Sequence, residues 1–340
     1  MLKRRFTVAA RIAVALAVVI GATTASSSTL TFLHMGTGSA SGTVFPLGGL
    51  LAGIFSNPPG SRDCERGGSC GVPGVIVTAT SSEGSVENIT EIQAKNFDLA
   101  LVQGDVAFWA YYGLGPYKGQ EPIRSLRAIG SLYPQAVHLV VPADSDIEDI
   151  TDLAGRRVAV GELGSGTPVM TDVVLAERGI KKGDYEAYYM KPGAAADSLA
   201  AGALDAAFFV TGYPDASISG LAQRLQIRLV PLTWDDFDEL ITKYSFITGG
   251  VIPADYYPGI PATLTLNVSA QLIAREDMDE KLVYGVTRAL WHETSRKKLE
   301  KNHPRGAQIR LKAALNGVGI PLHPGARKFY QEVGLLKSPF

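Results

Sequence analysis

Residues 31–51 read TFLHMGTGSASGTVFPLGGLL and decide the first part of the fold. Residues 31–33 predict a short strand, residues 36–42 a glycine turn, and residues 43–51 the opening of a helix. Glycine lets a backbone pass close to a ligand, and the first N–H groups of a helix are unpaired and carry partial positive charge. The stretch therefore predicts an anion pocket built from backbone N–H groups.

A second unit of the same kind follows about half a chain later. Residues 157–160 (RVAV) predict a strand that runs into the turn Gly164-Ser165-Gly166-Thr167, and residues 168–178 predict a helix. Two such turns that face each other would hold a small ligand between them.

Length, composition and charge limit the class of protein. With 340 residues, of which 46% are hydrophobic, the chain is long enough for two domains. Its formal net charge of -1 argues against a nucleic-acid partner, because phosphate binding favours a basic surface.

The N-terminus is typical of a secretory signal peptide. Lys3, Arg4 and Arg5 precede the apolar run 12–22, which is followed by small residues. The run is about half as long as the ~20 residues that a membrane span needs, although an uncleaved anchor stays open as the alternative. We expect residues 1–25 to be a signal peptide and the mature chain to be periplasmic.

The only two cysteines, Cys64 and Cys70, lie in a polar, glycine-rich insertion at residues 58–74. In an exported protein, a close pair in a loop favours a disulfide. A metal site would need two further ligands, and the five histidines show no metal-binding spacing. We therefore expect a disulfide and no metal.

Strands and helices alternate along most of the chain. The apolar strand 98–102 ends at Gln103, and a strand at 205–210 ends at the turn 211–215. Alternation of this kind implies mainly parallel sheets, in which ligands bind at the carboxyl ends of the strands. Between these units, residues 126–132 and 136–141 are predicted as two separate strands.

This pattern predicts two related α/β lobes joined by a hinge. The long strand at residues 264–274 is too polar at alternate positions to be fully buried, so it is assigned to the first lobe, partly near the hinge. The expected division is lobe I at 29–133 plus 255–340, and lobe II at 134–254.

Seven separate motifs occur in one order along the chain. They are Gly36-Thr37-Gly38 with Gly42 and Pro46; Gly84-Ser85-Val86-Glu87-Asn88; Asp98-Leu99-Ala100-Leu101-Val102-Gln103 with Asp105; Leu153-Ala154-Gly155 before Arg157-Val158; Gly164-Ser165-Gly166-Thr167; Gly212 with Pro214; and Leu322-His323-Pro324-Gly325-Ala326. On these motifs the sequence resembles the solute-binding proteins of TRAP transporters, of the TAXI type, over roughly residues 30–336.

The resemblance implies a two-lobed periplasmic binding protein, type II-like, without a cofactor or catalytic residues. Its lobes would close on a small solute, often an acid such as glutamate or a dicarboxylate, and deliver it to a TRAP-type membrane permease. The sequence departs from the family pattern at Val44-Phe45, where two tyrosines are usual, and at Glu83, where glycine is usual. Glu83 would either repel an acid or pair with an amine.

The predicted solute contacts are the polar and glycine residues of these turns. Each also has a structural interpretation: the glycines as tight turns, Ser85, Thr43 and Ser165 as helix caps, and Tyr213 as ordinary loop packing. Asp105, by contrast, is interpreted mainly as a cap of a helix that begins at Val106. The predicted set is Gly36, Thr37, Gly38, Thr43, Ser85, Gln103, Ser165, Gly166, Thr167 and Tyr213.

Two rival functions stay open. A sensor subunit would bind a solute in the same fold and present it to a membrane receptor. An exported enzyme would use the first glycine turn for a nucleotide or substrate, but the acidic residue that a dinucleotide site needs about twenty positions later is missing from a second strand end.

Overall fold

The structure, a computed structural model, describes residues 30–337 of the 340-residue chain. The expected signal peptide, residues 1–25, lies outside these residues. Across residues 30–337, no helix is both long enough and apolar enough to cross a membrane.

The described residues form twelve strands. Strand β5 has every side chain buried, as its continuous apolar sequence predicts for a strand covered on both faces. The strands are β1 (Thr31–Gly36), β2 (Ser56–Asn57), β3 (Val72–Pro73), β4 (Val75–Thr80), β5 (Leu99–Gln103), β6 (Leu126–Pro142), β7 (Arg157–Gly161), β8 (Glu186–Tyr189), β9 (Ala206–Thr211), β10 (Ile227–Val230), β11 (Ile247–Ile252) and β12 (Thr263–Arg275).

Ten α-helices accompany these strands within residues 30–337, together with short 3₁₀ turns. The helices are α1 (Val44–Phe55), α2 (Ser85–Gln93), α3 (Gly104–Tyr112), α4 (Thr167–Glu177), α5 (Pro192–Ala200), α6 (Ala216–Ala222), α7 (Asp238–Lys243), α8 (Glu280–Trp291), α9 (Glu293–Asn302) and α10 (Pro324–Glu332). The two glycine-turn units predicted from the sequence are therefore β1 with α1 and β7 with α4.

Ten of the strands form one sheet in the order β4-β1-β5-β12-β6-β9-β7-β8, with β10 on β6 and β11 on β12. At one end β1, β4 and β5 are parallel, and at the other β7, β8 and β9 are parallel. The long strands β6 and β12 run antiparallel to their neighbours and connect the two parallel groups. This arrangement confirms the predicted two-lobed α/β fold.

The prediction of two strands around Tyr133 and Pro134 is wrong, because β6 is one strand from Leu126 to Pro142. The register between β6 and β12 shifts by one residue between Ala270 and Gln271. Leu132 of β6 is therefore paired with no residue of β12. An irregularity of this kind next to Pro134 lets the strand continue past a residue that lacks an N–H.

Strand β12 lies in the middle of the sheet, between β5 and β6, and also pairs with β11. Its residues 270–274 pair with β5, whereas residues 263–268 pair with β11. Together with β6 it forms the two-stranded connection between the lobes. The boundaries of the lobes themselves stay a prediction.

The described residues form three buried clusters of side chains, and the largest contains side chains from both parallel groups, among them Val102 of β5 and Val174 of α4. Leu33 and Met35 of β1 pack with Leu47 and Leu51 of α1, and Val283 of α8 completes this side of lobe I. A separate cluster in lobe II joins α5 and α6 to β9. Burial of β1 and α1 in one cluster, and of β7 and α4 in the largest one, fixes each glycine turn between a packed strand and a packed helix.

Candidate functional site

A cavity of about 90 Å³ lies where the two parallel groups of strands meet. Its wall is formed by the glycine turn after β1, the start of α2, the end of β5, the turn after β7, and the end of β9. These positions are the carboxyl ends of parallel strands, where ligands bind in open α/β sheets.

Eight of the ten predicted site residues lie on this cavity wall. They come from distant parts of the chain and from both lobes. The eight are Thr37, Gly38, Thr43, Ser85, Gln103, Ser165, Gly166 and Thr167. Their role in binding a solute stays a prediction.

The other two predicted residues, Gly36 and Tyr213, do not line the cavity. A Cβ at Gly36 would lie 2.4 Å from the ring of Phe97, so this glycine permits close packing. The hydroxyl of Tyr213 donates to the carbonyl of Val251 (3.2 Å), and the guanidinium of Arg305 lies 3.9 Å from the centre of its ring. Packing under Arg305 therefore holds Tyr213 away from the cavity.

The two lobes touch directly across the cavity mouth. The N–H groups of Val86 and Glu87, in the first turn of α2, both donate to the carbonyl of Gly164 at 3.0 Å. The carbonyl of the opposite lobe thus occupies two N–H groups at the start of α2, which are not those of the anion pocket predicted at the start of α1. These contacts define a closed arrangement of the lobes.

A second contact between the lobes is made by side chains. The hydroxyls of Thr43 and Thr211 lie 3.0 Å apart, and the N–H of Gly212 points at Thr43 Oγ1 at 3.4 Å. Thr211 in turn donates to Asp215 Oδ2 at 3.1 Å. Because the proton of Thr211 goes to the carboxylate, Thr43 is the donor to Thr211. Thr43 occupies the N-cap position of α1, but its side chain bonds across the cleft and does not cap the helix.

Several other predicted hydroxyls already have protein partners. Thr37 donates to the carbonyl of Thr80 at 2.7 Å, and Ser85 accepts from the N–H of Gln103 at 3.0 Å. Ser165 donates to the carbonyl of Glu162 at 2.7 Å and accepts from the N–H of Thr167 at 3.3 Å. These hydroxyls therefore have structural partners, but the predicted caps are wrong, because the N-cap of α2 is Gly84 and that of α4 is Gly166.

Residues 35–334, which make up most of the chain, match the NMT1-like family. The chain belongs to the NMT1-like family.

Solved structures share the architecture of this NMT1-like protein at low sequence identity. A protein from Bordetella bronchiseptica RB50 is 14% identical with a TM-score of 0.50, over 89% of this chain and 98% of that one. The Escherichia coli periplasmic aliphatic sulphonate binding protein SsuA is 15% identical with a TM-score of 0.46, over 89% and 84%. A putative L-cystine ABC transporter protein from Listeria monocytogenes is 15% identical with a TM-score of 0.49, over 83% and 98%. At such identities the likeness concerns the fold alone.

The cavity of the NMT1-like protein also has a polar residue that sequence reasoning missed. Glu162 directly follows β7, lines the cavity and is only 7% exposed. Burial raises its pKa, Lys191 lowers it, and Glu83 and Glu87 raise it further. Its position at the carboxyl end of a parallel strand was the signal that would have found it.

Asp215 and Thr211 also line the cavity and were not predicted as contacts. The carboxylate of Asp215 accepts from the N–H groups of Ser217 and Ile218 at 2.9 and 3.3 Å, and so caps α6. Burial raises its pKa. This carboxylate is therefore occupied by protein donors.

Asp105 has a different place from the predicted one. Helix α3 begins at Gly104, so Asp105 lies inside the first turn and does not cap a helix that starts at Val106. Its side chain is fully buried, and neither carboxylate oxygen has a hydrogen-bond partner among residues 30–337. Burial raises the pKa of Asp105 to about 7.

The predicted disulfide between Cys64 and Cys70 is confirmed. His292, remote in sequence, places Nε2 3.8 Å from the sulfur of Cys64, and these three side chains lie together. Since both sulfurs are joined to each other, neither is a free thiolate of the kind that binds a metal.

Proposed function

We propose that this NMT1-like protein is an exported, periplasmic solute-binding protein, which captures a small polar solute between its lobes and delivers it to a membrane permease. The observation that supports this most is the cavity itself, walled by five chain segments from both lobes and closed by direct contacts between them. A small enclosed volume at the carboxyl ends of the strands suits capture of a whole solute.

Lobe closure gives this function a physical mechanism. The bonds from Val86 and Glu87 to Gly164, and from Thr43 to Thr211, exist only when the lobes are together. A solute that contacts both lobes adds its own interactions to the closed form alone. Its differential affinity for the closed form shifts the population from open to closed.

The permease is the second part of the proposal. The resemblance carried by the seven motifs implies a TRAP-type partner, driven by an ion gradient, whereas the similar solved structures include proteins of a putative sulfonate ABC transporter and a putative L-cystine ABC transporter. Uptake of the bound solute by spheroplasts of the source organism, supplied with the purified protein, separates the two. A TRAP permease loses uptake when an ionophore collapses the ion gradients while ATP is maintained.

The carboxylate predicted for the solute has no basic partner in the cavity. Within residues 30–337, no lysine, arginine or histidine lines the wall. The N–H groups at the start of α2 are also bonded to Gly164. We therefore propose a small polar solute here and do not include the predicted carboxylate.

The binding function is tested by a thermal-shift screen of the purified chain against amino acids, amines, dicarboxylates, oxo-acids and nucleotides. A ligand that binds only the native state stabilises it by about 2.7 kcal/mol at a hundredfold excess over Kd, which raises Tm measurably. A shift without chemical turnover supports a binding protein. Turnover of a shifting compound would favour the enzyme, and flat curves throughout, with no small molecule in native mass spectra, would contradict the proposal.

A further inference from the structure

We infer that the solute carries a cationic nitrogen, an ammonium or guanidinium group, which the carboxylates of Glu162 and Glu83 receive at the cavity. This inference rests on the proposed solute-binding function and narrows it to a class of solute.

The charges on the cavity wall all have one sign. Three carboxylates, those of Glu83, Glu162 and Asp215, belong to lining residues, and no basic side chain within residues 30–337 lines the wall. Asp215 is occupied by the N–H groups of α6 and by Thr211. Glu162 and Glu83 therefore remain for a solute.

Glu162 is the more buried of these two carboxylates. Its Oε1 lies 3.5 Å from the Nζ of Lys191, whose side chain is 68% exposed, so this ion pair is at the outer edge of the site. Its Oε2 is buried and has no hydrogen-bond partner among the described residues. A buried carboxylate oxygen without a donor is costly, and an N–H donor of a bound solute would satisfy it.

Glu83 lines the same cavity from the other lobe and is an exposed residue. A Cβ added at Gly164 would lie 2.2 Å from Glu83 Oε2, so this carboxylate packs against the backbone of the turn that follows Glu162. Closure thus brings a carboxylate from each lobe to the same turn. A cation between them would be attracted by both lobes, and closure would be favoured by its binding.

A second, independent observation points to the same kind of ligand. Gln103 lines the cavity, is 5% exposed, and its Oε1 has no hydrogen-bond partner among residues 30–337. A Cβ at Gly166 would lie 2.2 Å from this oxygen, so the amide lies against the opposite lobe. Unpartnered acceptor oxygens at two points of one cavity match a solute rich in N–H donors.

The test compares two four-carbon compounds of opposite charge, 1,4-diaminobutane and succinate, with L-lysine and L-arginine as further cations, by calorimetric titration of the intact chain. We expect at least one of the cations to bind and succinate not to bind. In the variant Glu162→Gln, affinity for that cation should fall tenfold or more. The matched control Glu121→Gln, an exposed glutamate outside the cavity, should leave it unchanged.

Binding of succinate without binding of any cation would overturn the inference and leave the solute-binding function standing. Binding of a cation with equal affinity in the protein and in Glu162→Gln would also overturn it, because the charge of Glu162 would then be irrelevant. Failure of every compound in this panel and in the wider thermal-shift screen would count against both the inference and the function. The comparison of solutes on the unmodified chain does not depend on how any variant folds.

Discussion

The hydroxyl of Thr43 lies 3.0 Å from the hydroxyl of Thr211, and this contact joins the N-cap of α1 in one lobe to the last residue of β9 in the other. Both side chains are at least nine-tenths buried. The bond continues to Asp215, which caps α6. A row of hydrogen bonds between protein side chains alone, from Thr43 through Thr211 to Asp215, therefore links the two lobes in the closed form.

Replacing Thr43 with valine keeps its shape and removes this bond. The variant Thr43→Val should weaken solute affinity about fivefold, because one hydrogen bond of about 1 kcal/mol is lost from the closed form only. Calorimetric titration measures the change. The control Thr90→Val removes an exposed hydroxyl that bonds within its own helix, to the carbonyl of Val86. Equal affinity in both variants would show that the Thr43 bond does not hold the lobes closed.

Gly166 is a position where the lobes meet too closely for a side chain. In Gly166→Ala, the new Cβ would lie 2.2 Å from Gln103 Oε1, so the Gln103 side chain must move for the lobes to close. We expect roughly a tenfold loss of solute affinity, equal to about 1.4 kcal/mol, with little change in the Tm of the solute-free chain. Gly193→Ala is the matched control, because a Cβ there meets nothing within 4 Å. A loss of affinity that is the same in both variants would contradict this account.

Asp105 should make stability depend on pH. Burial raises the pKa of Asp105 to about 7, well above the ordinary value for an aspartate, so the native state binds more protons than the unfolded state between pH 4 and 7. Stability from this group is therefore lost as pH rises through that window. The variant Asp105→Asn should gain Tm relative to the unmodified chain as pH rises from 4 to 7. The exposed replacement Asp144→Asn should not show this trend. A constant difference between Asp105→Asn and the unmodified chain across the range would show that Asp105 does not titrate within it.

The disulfide should contribute to stability and not to binding. Cys64 and Cys70 close a ring with a sequence separation of 6, remote from the cavity wall. A ring of this size stabilises the fold by about 2 kcal/mol in the chain-entropy model. The double variant Cys64→Ser with Cys70→Ser should lower Tm by a few degrees and leave solute affinity unchanged. Loss of affinity at unchanged Tm would tie this loop to the site.

Sequence patterns predicted the parts of the site that depend on local structure. Parallel strands that end at glycine turns placed Gly38 and Gly166 at one edge of the sheet, and the structure has both at the cavity. The contacts between lobes were not predictable in this way. Whether the N–H of Val86 meets a solute or the carbonyl of Gly164 depends on how β6 and β12 orient the lobes, and no local pattern encodes that angle.

The same limit explains the misplaced residues. Tyr213 has the sequence context of a cavity wall, but Arg305, more than ninety residues later, covers its ring. Glu162 was missed because a single glutamate at the end of a strand resembles an ordinary surface residue. Its place at the carboxyl end of β7 was a signal, and the packing of Glu83 from the other lobe against the turn at Gly164 shows that this part of the chain faces the cavity.

If the lobes close on a small solute, the molecule becomes more compact when it binds. Small-angle X-ray scattering of the purified chain measures this change. Radii of gyration are compared for the solute-free chain and for the chain saturated with a compound that raises its Tm in the screen. We expect a smaller radius with the solute, and a much smaller decrease in Gly166→Ala at a solute concentration that half-saturates the unmodified chain. An unchanged radius for the unmodified chain that binds the solute tightly would contradict closure as the mechanism.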